Sequence, residues 1–68
     1  MENKFCENLK RLRQEEKLTQ TQLAEKIGST QRKISFLEKG VVEPDLSTLI
    51  SLSKFFKVST DDLLGIEP

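Results

Sequence analysis

Histidine is absent, cysteine occurs once, glycine occurs three times, and neither sign of charge is in excess. Eleven Lys and Arg balance eleven Asp and Glu over 68 residues. Each shortage closes a class of function. Without histidine the commonest general base is missing, and Cys6 has no partner to activate it as a nucleophile. A lone cysteine with no histidine offers no zinc cluster and no internal disulfide. A reduced thiol in a cytoplasmic protein is the default expectation, with an intermolecular Cys6 disulfide as the alternative. The glycines stand at 28, 40 and 65, too scattered for a phosphate-cradling loop. The adjacent Asp61 and Asp62 read as helix-start residues rather than a metal pair. No apolar run exceeds two residues, so no membrane span is expected, and MENKFCENLK lacks the apolar region of a signal peptide. The expectation is a non-enzyme with no cofactor, no membrane association and no small-molecule ligand.

Sixty-eight residues permit one domain, 1–68, whose fold hides only roughly 60% of the unfolded surface. The balanced charge conceals a polarity. Residues 1–39 hold nine Lys/Arg against six Asp/Glu, a net of +3; residues 40–68 hold two against five, a net of −3.

What is present is helical periodicity, with no period-two alternation or hairpin turn to compete. Phe5, Leu9 and Leu12 form one stripe on a helix expected over about Asn3 to Lys17, with Leu18 as a core plug. Thr19 and Gln22 make a T-x-x-Q capping box for a second helix, which Gly28 ends by supplying positive φ. Ser29 and Thr30 are both plausible caps for a third helix, 31–39, stopped by Gly40. Pro44 bars continuation and Asp45 caps a fourth helix to about Phe56, with Leu46, Leu49, Leu52 and Phe56 as its core stripe. Val58 plugs the next corner, and Ser59 caps a last short helix carrying Leu63 and Leu64. The predicted fold class is all-α, with five helices.

The segment 20–40, QTQLAEKIGSTQRKISFLEKG, carries the function. Leu23, Ile27, Ile34 and Leu37 anchor two short helices to the rest, Ala24 lets them approach, and Gly28 makes the tight turn. That is the layout of a helix-turn-helix, whose second helix lies in the major groove of DNA. With Ile34 and Leu37 inward, Gln31, Arg32, Ser35 and Phe36 point elsewhere. Gln31 suits adenine N6/N7, Arg32 suits guanine O6/N7 or phosphate, and Lys33 and Ser35 suit phosphate or a base edge. Phe36 either packs on thymine methyl groups or tucks partly into the core.

Nearly the whole chain resembles the phage-repressor/Cro-like helix-turn-helix family, often called the XRE family. The matching pieces are Leu18-Thr19-Gln20, Gln22-Leu23-Ala24, Gly28, Ile34-Ser35, Leu37-Glu38-Lys39-Gly40, and then Pro44, Leu46, Leu49, Leu52, Val58-Ser59 and Asp61-Asp62-Leu63-Leu64-Gly65. The resemblance implies a five-helix repressor-like domain that binds double-stranded DNA as a small bacterial or phage transcriptional regulator, a repressor above all. It implies that Gln20 contacts a phosphate, that Thr30, Gln31, Arg32 and Ser35 with Phe36 meet the groove, and that Lys39 meets the opposite phosphate strand. It further implies that Arg13 pairs with Glu38, a surface pair worth about 0–1 kcal/mol. A homodimer on a near-palindromic operator would place two reading helices roughly 34 Å apart. Phe55, Ile66 and Ile50, left over from the core stripes, are the expected dimer residues. The sequence departs from the family at Val41-Val42-Glu43, where a basic connector is common. That departure keeps open a second reading, a protein-interaction module of antitoxin type or a partner of a larger regulator.

Overall fold

The chain folds into α1 (Phe5–Glu15), α2 (Gln20–Ile27), α3 (Gln31–Lys39), α4 (Leu46–Phe56) and α5 (Thr60–Leu64). The computed structural model describes residues 4–66, and no strand occurs among them. Four of the five starts are fixed by local chemistry. The hydroxyls of Thr19, Thr30 and Ser59 and the carboxylate of Asp45 each accept from a backbone N–H three residues on. At Thr19 the box is complete, because its own N–H donates to Gln22 Oε1 at 2.8 Å. Of the two candidate caps for α3, Thr30 takes the role.

α1 is shorter than its periodicity suggests. It ends at Glu15 rather than Lys17, and the expected first residue, Asn3, lies outside the described residues. The reason is a left-handed residue that is not glycine. Lys17 has φ 58°, and Leu18 N–H donates back to Arg13 O at 3.1 Å. The same device closes α4, where Lys57 has φ 57° and Val58 N–H donates to Ser53 O. Lys17-Leu18-Thr19 and Lys57-Val58-Ser59 thus share one grammar: a left-handed lysine, an apolar plug, then a helix cap. Each lysine costs about 1–2 kcal/mol in that conformation, offset by turning Leu18 or Val58 onto the core.

The core is Phe5 and Leu9 of α1, Leu23 and Ala24 of α2, Ile34 and Leu37 of α3, Leu52 of α4 and Leu63 of α5. Leu12, Leu49, Phe56 and Leu64 pack half-buried around it. One expected core residue fails: Leu46 is 77% exposed. It lies six residues before Leu52, hence roughly 120° around the helix from that residue. Spacing of three from Leu46 to Leu49 looked like a stripe, but Thr48, Leu49 and Leu52 set the inward direction. Phe55, expected on an outer surface, is instead half-buried against the core, edge-on to Phe56 at 5.0 Å. The start of α1 is tied to α5. Lys4 N–H donates to Leu64 O, and the Asn8 side-chain amide donates to Asp62 O and Leu63 O. α5 therefore closes against α1.

Candidate nucleic-acid interface

α2 and α3 meet through three residues, 28–30. Gly28 adopts φ 70° and ψ 36°, and Ser29 N–H donates to Ala24 O at 2.8 Å, which closes the end of α2 as the chain turns. Ala24 is 2% exposed, which fits a small residue at a close helix crossing. Ile34 and Leu37 are fully buried and set the rotation of α3.

That rotation fans the first turn of α3 in three directions. Gln31 points toward α2, where its amide donates to Gln20 Oε1 at 2.7 Å. Lys33 points toward α4, where it meets Asp45 at 3.6 Å. Arg32 stands between them, its guanidinium 5.4 Å from the Phe36 ring centroid one turn on. Phe36 is not part of the core cluster. It lines a shallow recess of about 370 Å³ with Thr30, Arg32, Lys33, Val42, Glu43 and Asp45. Ser35 is half-buried, while Lys39 is exposed at the C-terminal end of α3, where a cation suits the helix dipole.

Behind this face runs a polar chain that sequence reasoning saw only at one end. Arg13 donates through Nε to Glu38 Oε2 at 2.6 Å, through Nη2 to Glu38 Oε1 at 3.0 Å, and through Nη1 to Leu18 O at 2.8 Å. Glu38 Oε1 also accepts from Gln20 Nε2 at 3.2 Å, and Gln20 in turn accepts from Gln31. The expected Arg13–Glu38 pair forms, but it is not a surface pair: its side chains are 12% and 4% exposed. The hydrogen bonding of Arg13 to Glu38, aided by the carboxylate charge, raises the Arg13 pKa above its ordinary value. The pair is a buried, bidentate clamp that couples α1 to α3, and Gln20 extends the clamp to the first residue of α3. Gln20, expected to face a phosphate, has both ends of its amide engaged inside the protein. No periodicity argument could have found the Gln20–Gln31 contact. Only the fact that both residues open their helices hints at it.

Asp45 is the other unexpected participant. It caps α4, and its pKa is lowered to about 2, first by hydrogen bonding from Thr48 and also by the charge of Lys33. The acidic half of the chain therefore touches the basic half beside α3.

Two helices locked by a tight turn, the second clamped at both ends and presenting a polar face, define a helix-turn-helix domain. A helix-turn-helix family model matches residues 9–63, and the chain belongs to that family. It is 47% identical over 60 residues to YqaE of Bacillus subtilis, named as an uncharacterized HTH-type transcriptional regulator. That match covers 88% of this chain, which spans only 52% of the relative's length. A transcriptional regulator from Listeria innocua is similar in structure, with a TM-score of 0.91 and 34% identity, over 100% of this chain and 64% of that one. The P22 c2 repressor, solved in complex with the synthetic operator 9T, is similar at a TM-score of 0.86 and 30% identity. There the match covers 93% of this chain and 96% of the other. Among the described residues no helix is long and apolar enough to cross a membrane.

Proposed function

We propose that the chain is a sequence-specific DNA-binding domain of a transcriptional regulator, a repressor, that docks α3 in the major groove. The observation carrying this reading is the held start of α3. Gln31 is oriented by Gln20, and Gln20 by the Glu38–Arg13 clamp, so a base-reading amide is preset rather than loose. Preset polar groups lose less freedom on binding than mobile ones. In this reading Gln31 and Arg32 meet base edges, and Phe36 with Val42 offers an apolar surface beside them. Thr30, Lys33, Ser35 and Lys39 serve phosphates or groove edges, and Gln20 acts mainly by holding Gln31. Binding is reversible and non-catalytic, and a homodimer spans a near-palindromic operator.

Selection of bound sites from a random duplex pool, followed by anisotropy titrations over a salt series, tests the reading. Gln31→Ala should relax preference at one base pair at about 1–3 kcal/mol, and Arg32→Ala should weaken binding. If no site is enriched and random duplex binds without salt dependence, the protein-interaction module becomes the better reading. Val41, 66% exposed on the connector, is the feature that would serve such a module.

A further inference from the structure

The recess beside Arg32 joins two kinds of surface. Phe36 and Val42 give it apolar area, and Glu43 and Asp45 give it two carboxylates. Asp45 is already engaged: it accepts from Thr48 N–H at 2.9 Å and meets Lys33 at 3.6 Å. Glu43 is exposed, and among the described residues no hydrogen bond or ion pair engages it. A free carboxylate beside a reading helix repels phosphates. In the major groove the groups that reward it are amino groups, N4 of cytosine and N6 of adenine. The apolar area next to it calls for a carbon substituent, and the groove offers the C5 methyl of thymine. No unmodified base carries both. Thymine sets a carbonyl oxygen beside its methyl group, and adenine has no methyl group. Cytosine methylated at C5 presents a methyl carbon and an amino donor side by side.

We infer that the recess reads cytosine methylation: it takes a 5-methylcytosine adjoining the guanine that Arg32 engages. The methyl group packs on Phe36 and Val42, and the N4 amino group donates to Glu43. Arg32, its guanidinium 5.4 Å from the Phe36 ring centroid, keeps its planar donor fork for the guanine. The inference rests on the proposed docking of α3. It also gives the acidic connector Val41-Val42-Glu43 a role that phosphate anchoring cannot. Burying one methyl group corresponds to about fourfold in affinity, so methylation tunes the filling of a site rather than switching it on or off.

Selection from two random duplex pools, one built with cytosine and one with 5-methylcytosine, supplies the site. The guanine whose preference disappears in Arg32→Ala is the one Arg32 engages. Each adjoining pyrimidine is then varied among cytosine, 5-methylcytosine, uracil and thymine in anisotropy titrations. At one of them the wild type should bind 5-methylcytosine tightest. It should gain about fourfold from the methyl group in both pairs, uracil to thymine and cytosine to 5-methylcytosine. Phe36→Ala should shrink both gains below about twofold. Glu43→Gln, whose amide can also donate to thymine O4, should bring thymine level with 5-methylcytosine while keeping both gains. A wild type that prefers thymine to 5-methylcytosine overturns the proposal, as does a methyl gain that is missing or that survives in Phe36→Ala. A site enriched in both pools with no response to methylation refutes this inference and leaves the DNA-binding reading intact. No enriched site in either pool refutes both.

Discussion

Removing the Glu38 carboxylate should cost far more than a surface charge. In Glu38→Ala the Arg13 guanidinium, 12% exposed, keeps only the Leu18 carbonyl as a partner. Gln20 Nε2 also loses its acceptor. Stripping one member from a buried pair typically costs about 3–5 kcal/mol, because the other charge stays buried and uncompensated. The clamp sits at the rim of the core rather than at its centre, so about 3 kcal/mol is the expected loss. A chain of this size has a total stability of roughly 3–10 kcal/mol, so the variant should be near the edge of folding at room temperature. In thermal melts followed by circular dichroism, Tm should fall by about 12–24 °C. The control is Arg13→Met with Glu38→Leu, which removes both charges and keeps volume. It should cost clearly less than Glu38→Ala alone, since nothing charged is left behind. A Glu38→Ala melt within about 4 °C of the wild type would refute the reasoning, and so would a double variant less stable than the single one.

Three further outcomes are expected. Thr19→Ala removes a capping box whose two hydrogen bonds measure 3.1 and 2.8 Å, and should lower stability by about 1 kcal/mol in urea melts. Asp45 has a folded pKa of about 2 against an ordinary value of 3.8, so its contribution is present in full above about pH 4 and is lost as pH falls toward 2. Tm should therefore drop over that window more steeply in the wild type than in Asp45→Asn. Asparagine is also a good cap, so Asp45→Asn should keep α4 while freeing Lys33, and the salt slope of DNA binding should steepen by about one unit.

The helix starts were readable from sequence because a cap is a local event: Thr19, Asp45 and Ser59 need only the backbone three residues on. The end of α4 at Phe56 was legible too, but the stop of α1 at Glu15 was not, because the left-handed Lys17 carries no compositional signal, unlike Gly28. The apolar stripe of α4 misled at Leu46 because spacing alone does not say where the inward arc begins. Thr48, a polar residue that is 8% exposed, is what reveals the arc, and no apolar pattern would count it. At the site, the outward set of Arg32, Ser35 and Phe36 followed from fixing Ile34 and Leu37 inward. The route from Arg13 through Glu38 and Gln20 to Gln31 joins three helices, with Arg13 and Glu38 25 residues apart in sequence, and long-range side-chain geometry of that kind leaves no periodic trace.

The charge polarity of the chain takes on a different meaning once folded. Counted along the sequence, the basic half seems available to phosphates and the acidic half remote from them. In space the two halves meet at α3, where Asp45 engages Lys33 and Glu43 shares a recess with Arg32 and Phe36. A phosphate approaching that edge would compete with a carboxylate already in place, so part of the formal +3 cannot serve backbone attraction. Arg32 is different: it rests on an aromatic face, which orients its planar donor fork without consuming the donors. On the proposed docking, α3 therefore gives up sequence-independent attraction and keeps oriented donors for base edges. Such a balance weakens non-specific binding more than specific binding, and it is the ratio of the two that decides which site in a genome is filled.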